Sequence, residues 1–235
     1  MSPLPPIPMI NSMLSHSRAA SSLPSKTYRG FTLLEMAIVL LIVGLLLGGL
    51  LPVISGQIDQ QRRNETKKYM DEVRDALLGY AISTANKRLP CPDTNGDGLA
   101  EATCLTTAQQ IGTLPYKDLG VADKDAYGSV LVYAVAKEFA DSTTHFTLST
   151  TGAANTMRVC TTAACTANLT NNAVAVIVSR GANWANTPST DEAENTDGDT
   201  DFVSHDFVQN GFDDLVIWLS PNILFGRMVM AGQLP

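Results

Sequence analysis

The chain lacks most of what an enzyme sequence would show. It has no Gly-x-Ser-x-Gly elbow, no phosphate-binding glycine loop and no internal repeat. Histidine is scarce, with only His16, His145 and His205. His205 stands beside Asp206 with no nucleophile motif near it, and both later histidines read as surface or edge residues. No catalytic residue is assigned, and an enzyme is not expected. Basic residues are also short, 16 Lys and Arg against 23 Asp and Glu, for a net charge of −7. Arg18, Lys26 and Arg29 fall in the first thirty residues, where there is no acid, which leaves −10 on the remainder. Non-specific nucleic-acid binding needs cations to neutralise phosphates. An acidic body argues against such binding, and no nucleic-acid partner is expected.

Cysteine is limited to Cys91, Cys104, Cys160 and Cys165. None of the spacings is the Cys-x₂-Cys that a structural zinc site favours. In an oxidising compartment two local disulfides are the expectation, although three pairings are possible in principle. Trp184 and Trp218 read as loop packing and core.

Charge is absent altogether from Met36 to Ile58, where Leu, Ile, Val, Ala and Met predominate. Such a run is long enough to cross a bilayer as a helix, which takes roughly 20 apolar residues. Cations before it and Asp59 after it orient its N-terminus to the cytoplasm. Glu35 sits just inside the apolar segment, where an ionisable group costs about 2.5–3.5 kcal/mol and calls for a partner. Pro52 is expected to interrupt the helical hydrogen bonds. Residues 1–29 carry five prolines and no apolar period, and read as a leader outside the fold.

Beyond Ile58 the chain turns polar but keeps a helical period. Tyr69, Met70, Val73, Ala76, Leu77, Tyr80 and Ala81 recur at three- and four-residue steps among charged residues, an amphipathic helix ending near Lys87. After the Pro90–Gly98 turn cluster, strand-like runs cover Ser129–Ala136, Phe146–Thr150, Met157–Thr161, Ala173–Ser179 and Leu215–Leu219. Asn183–Asp201 reads as one long acidic loop. Ser220-Pro221 starts a short C-terminal helix. The expected fold is α+β: one long N-terminal helix on a mostly antiparallel sheet. The segments are 1–30 leader, 31–58 membrane and assembly helix, 59–88 amphipathic continuation, and 89–235 sheet domain.

Gly30-Phe31-Thr32-Leu33-Leu34-Glu35 and the apolar run with Pro52 inside it resemble the prepilin-type signal of the type IV pilin-like superfamily. The resemblance implies that a prepilin peptidase cuts between Gly30 and Phe31 and methylates the new amine of Phe31. It also gives Glu35 a role in guiding subunit addition. A buried carboxylate relieved by the Phe31 ammonium of a neighbouring subunit suits that role. Asp125-Ala-Tyr-Gly-Ser-Val-Leu-Val-Tyr133 and Phe212-Asp-Asp-Leu-Val-Ile-Trp218 are similar to sheet segments of type II secretion pseudopilins. The fold implied is pilin-like.

That resemblance also implies calcium in the loops of the sheet, since major pseudopilins carry it there. Asp93, Asn95 and Asp97 place oxygens at alternate positions, like the first half of an EF-hand loop. Cys104 stands where the bidentate Glu should be, so the motif is incomplete. Asp197, Asp199 and Asp201 form a second alternating set, with Glu192, Glu194, Asp213 and Asp214 as neighbours. Hard oxygen ligands select calcium over transition metals, while solvated Asn/Asp/Gly turns have the same composition. No other cofactor is expected.

The function implied is a structural pseudopilin of a type II secretion system, held in the inner membrane and assembled into a periplasmic filament. Its partners would be the peptidase, other pilin subunits and the inner-membrane assembly platform. The alternatives are a minor pilin of a type IV pilus and a calcium-dependent adhesion module at a filament tip.

Overall fold

The computed structural model describes residues 30–83, 87–151, 157–209 and 211–234, without the side chains of 49–55. The leader expected at 1–29 lies outside them. The first half of the chain holds α1 (Leu33–Ser83), α2 (Thr107–Gln110), β1 (Ile111–Thr113), α3 (Tyr116–Leu119), β2 (Val132–Val135) and α4 (Lys137–Ala140). Then come β3 (Arg158–Cys160), β4 (Asn168–Thr170), β5 (Ala175–Ser179), α5 (Thr190–Glu194), β6 (Asp201–Val203), β7 (Leu215–Leu219) and α6 (Pro221–Met230). The chain divides into two units, Met1–Leu50 and Leu51–Pro235.

In the first unit α1 begins at Thr32, which acts as its N-cap. The Glu35 N–H donates to Thr32 Oγ1 at 3.2 Å, and the Met36 N–H donates to the Thr32 carbonyl. Thr32 and Glu35 hold the first and fourth places of a Thr-x-x-Glu capping box. The helix then exposes apolar residues on every side, from Leu33 at 93 % to Val43 at 42 %. Among the described residues no helix is long and apolar enough to cross a membrane. Helix α1 runs on through Pro52, so the proline costs the ladder a bond without ending the helix. Proline removes one N–H donor from the ladder.

The second unit is where the helix acquires a core. Met70, Val73, Leu77, Leu78 and Ala81 recur on one stripe of α1 and are buried. They share a cluster with Leu131, Tyr133, Val135, Ala175, Ile177 and Leu219. Each large apolar side chain removed from water contributes about 1.5–3 kcal/mol. The facing sheet is four-stranded and fully antiparallel in the order β1-β2-β5-β7. Strand β5 lies inside it, and all five of its residues are buried.

Alternation assigns the two faces of that sheet. Tyr133, Val135, Ala175 and Ile177 join the α1 cluster, while Ala134, Val176 and Val178 join Met157, Val159 and Phe202 in a second one. The second cluster is supplied by a smaller sheet, β4-β3-β6, in which β3 runs parallel to β6. The fold is α+β, as expected, with the N-terminal helix packed on an antiparallel sheet.

Several expected elements differ. Helix α1 is described through Ser83, 84–86 lie outside the described residues, and Lys87 is not helical, so the expected end near Lys87 is not among the differences. Phe146–Thr150 is not a strand. Phe146 is buried against Phe139 and Phe225, and the Thr150 N–H turns back onto the Thr147 carbonyl. One anchoring ring explains its apolar character without a ladder. The stretch Asn183–Asp201 is not one loop either. Ser189 caps α5 through Oγ, Glu192 returns to the Ser189 N–H, and β6 opens at Asp201. Short β1, β4 and β6 carry too few residues to show a period.

The cysteines pair locally, Cys91 with Cys104 and Cys160 with Cys165. Cys91 and Cys104 are both buried in the α1 core, and their bridge closes a separation of 13 residues against 5 for the other. A longer closed loop restrains the unfolded chain more. Replacing Cys91 and Cys104 together by Ala should cost about 2–4 kcal/mol. The Cys160/Cys165 pair should cost less, and denaturant melts of the two double variants check the order.

Candidate functional site

Two regions carry chemistry that the core does not explain. The first is the junction Gly30-Phe31. Both residues precede α1 and are exposed, Phe31 at 73 %. A side chain built on Gly30 would meet nothing within 4 Å. Among the described residues nothing therefore places a steric demand on glycine there. Glu35 is exposed in the first turn of α1, where a negative charge opposes the positive end of the helix dipole. The Thr-x-x-Glu pattern was legible in the sequence as a capping signal.

The second region is the acidic end of the sheet domain, where β5 leaves at Ser179 and β7 enters at Leu215. Asp125 is buried and organises the turn before β2. Its Oδ1 accepts the N–H groups of Tyr127 and Ser129 at 2.9 Å each, and Ser179 Oγ donates to its Oδ2 at 2.5 Å. Next to it Gly181 adopts φ +58, and a Cβ there would collide with the Asp213 side chain. This close approach lets Asp213 Oδ2 accept the N–H groups of Ala182 and Asn183 at 2.9 and 3.1 Å.

Glu192 is buried between these loops. Its Oε1 accepts from Asn183 Nδ2 and from the Asp213 N–H. Burial alone would raise its pKa, but these hydrogen bonds and those from Ser189 outweigh it and hold the carboxyl below its ordinary value. Asp214 has fewer donors. Burial pushes it up to about 7, although Asn195 Nδ2 donates to it at 2.8 Å; Glu192 and Asp213 raise it further. Asn195 also accepts from the Val203 N–H and donates to the Val203 carbonyl, tying β6 to the same network.

Carboxylate oxygens converge within 4.8 Å in two groups among the described residues: Glu192/Asp213/Asp214 and Glu194/Asp199/Asp201. Glu194 and Asp199 are raised by burial first and by their acidic neighbours second. Asp201 is paired with Arg158 through both guanidinium nitrogens Nε and Nη2. Asp197 lies outside the group and accepts the Asp199 N–H.

The first acidic loop is organised differently. Asp93 is buried and takes the N–H groups of Asn95, Gly96 and Gly98. Asn95 accepts from Asp97, and Asp97 accepts from Leu99. Glu101 turns back to Thr94, while Asp118 takes the Ala100 N–H. Side-chain oxygens at alternate positions thus serve the loop's own amides. Asp93 and Asp97 belong to neither carboxylate group. Tertiary contacts brought Glu192 together with Asp213 and Asp214, a set that linear spacing could not assemble.

Asp214 generates a pH prediction. Its folded pKa lies near 7 against an unfolded value near 3.8. The stability associated with it is therefore fully present below about pH 4 and is lost as pH rises through about 7. The loss is bounded by about 4 kcal/mol. Asp214→Asn keeps the Asn195 contact without the charge, so it should melt higher than the parent at neutral pH and flatten the profile. A calcium ion on Glu192, Asp213 and Asp214 would reverse that order when calcium replaces chelator in the melting buffer.

Compared with known proteins, the chain matches the prokaryotic N-terminal methylation motif at residues 25–51. No curated protein and no solved structure matches it. The matched segment contains Gly30, Phe31 and Glu35 and runs into the apolar helix; the chain carries a type IV pilin-like prepilin signal.

Proposed function

We propose that the chain is a pseudopilin of a type II secretion system, cut by prepilin peptidase and assembled into a helical periplasmic filament. The observation that carries this reading is the pairing of a methylation motif with a helix of two characters. From Phe31 to Gly48 that helix exposes its apolar side chains among the described residues, and from Met70 to Ala81 it forms the core of a sheet domain. A peptidase product beginning at Phe31 presents its amine four residues before Glu35. The apolar segment is the one to anchor in the inner membrane, N-terminus cytoplasmic, with the sheet domain and its disulfides in the oxidising periplasm. The other partners in this reading are further pilin subunits and the inner-membrane assembly platform.

Glu35 then has two tasks. Before cleavage it supports the first turn of α1, with Thr32 as cap. In a filament the lipid-like surroundings make its charge costly, and a neighbour's Phe31 ammonium relieves that cost. A minor pilin of a type IV pilus is the second reading, favoured by the two disulfides in the sheet domain. Fractionation separates the two: the mature chain is recovered either with secretion components or with surface pili.

Two substitutions test the processing and assembly steps. Gly30→Leu should leave the leader attached, because the proposed cut follows this glycine, and the variant should still fold, because no described residue lies within 4 Å of a Cβ built there. Intact mass of the membrane-extracted protein reads the outcome, and normal shortening would contradict the assignment. Glu35→Val should still be cut and membrane-inserted but should enter filaments at least about tenfold less. Incorporation at the parent level would refute the ammonium pairing.

A further inference from the structure

We infer that the sheet domain docks head-to-tail on a second copy of itself, with the exposed stripe of α6 seated in the groove beside Asp59 and Phe207. This rests on the filament-subunit reading and specifies which surfaces meet.

The groove has a volume of about 620 Å³ and lies at the acidic end of the domain, between the Gly56–Arg63 part of α1 and the loops around Asn183 and Phe207. Its apolar wall is Phe207, 54 % exposed. The Arg63 guanidinium lies 4.2 Å from the centre of that ring and donates to the Asp213 carbonyl, so this cation is already engaged. Asp59, one helical turn before Arg63, is exposed, and its carboxylate has no hydrogen bond or ion pair among the described residues. Together with Asp213 it leaves the groove net negative, with an open aromatic face beside an unpaired acid.

The complementary surface is on α6. Leu224 and Met228 are buried in the core, and Phe225 packs 6.0 Å from Phe139 and 6.1 Å from Phe146. On the outward stripe stand Ile223, Arg227 and Met230, spaced four and three residues apart, with Met230 at 75 % exposure. Arg227 has no ion pair among the described residues, and no other charge lies between Pro221 and Leu234. An apolar–cation–apolar stripe matches an aromatic wall with a free carboxylate.

The two surfaces cannot meet within one chain. In the β5–β7 register Ser179 faces Leu215 at the groove end, while Ala175 faces Leu219 at the end from which α6 departs. Arg63 marks the groove end of α1 and Ser83 its far end, about 30 Å apart at about 1.5 Å per residue. A contact between opposite ends of identical domains is heterologous. Repeated without closure, it builds an open helical array rather than a closed dimer. That symmetry is the one a filament needs.

The test uses full-length chains in membranes. Two copies, one Asp59→Cys and one Arg227→Cys, are co-expressed and treated with a short bis-maleimide. The native cysteines are closed in disulfides, so only the new thiols react. A cross-linked dimer is expected from the co-expressed pair and not from either variant alone. Charge reversal gives a second readout. Asp59→Lys and Arg227→Glu should each lower filament incorporation at least about tenfold, with parental melting temperatures, and the double reversal should restore most of it. No cross-link from the pair, a dimer from Asp59→Cys alone, or a double reversal no better than the single ones overturns the interface. If the parent chain keeps its leader or forms no filament while the pair still cross-links, the secretion reading fails and the interface stands.

Discussion

Everything in the sheet domain depends on one packing contact, the stripe of Met70, Val73, Leu77 and Ala81 pressed onto the inner face of the four-stranded sheet. An isolated amphipathic helix of this length gains little from propensity and needs a tertiary partner for its apolar face. The sheet is equally dependent, because its central strand β5 is buried on both sides. A strand so placed needs a cover on each face. The helix supplies one, and the small β4-β3-β6 sheet supplies the other. The Cys91–Cys104 bridge then fixes the chain just beyond the helix against the same core.

The same helix has a second, opposite requirement. Its first part, Phe31 to Gly48, exposes Leu, Ile and Val on all sides among the described residues. Water is a poor solvent for such a surface, and in the proposed reading lipid and other copies provide the cover. A single element thus joins a self-sufficient core to an unsatisfied one. Under the proposed function that asymmetry would drive subunits to associate, and a signal cut at Gly30-Phe31 would place a charged amine at the free end of the unsatisfied part.

At the other end of the domain the governing constraint is the supply of hydrogen-bond donors to buried acids. Asp93, Asp125 and Glu192 each receive two or more donors and sit comfortably in their loops. Asp214 receives one side-chain amide and sits against two other acids, and its pKa rises accordingly. The acidic character of these loops is therefore largely architectural: carboxylates replace missing secondary structure by holding loop amides. Asp214 is where that architecture is least satisfied.

The sequence by itself determined the prepilin signal, the α+β class and the buried stripe of α1. Each rests on local order or on a short period, and local spacing survives in one dimension. The strand Leu215–Leu219 and the cap at Ser220 were legible for the same reason. Phe146 misled because one buried ring in a loop mimics a strand, and α5 was hidden by the acidic composition around its capping box. Only the tertiary structure decided the disulfide pairing, the meeting of Glu192 with Asp213 and Asp214, and the placement of the groove and α6 at opposite ends of the sheet. Those depend on contacts between residues far apart in the chain, and strand order and register set them.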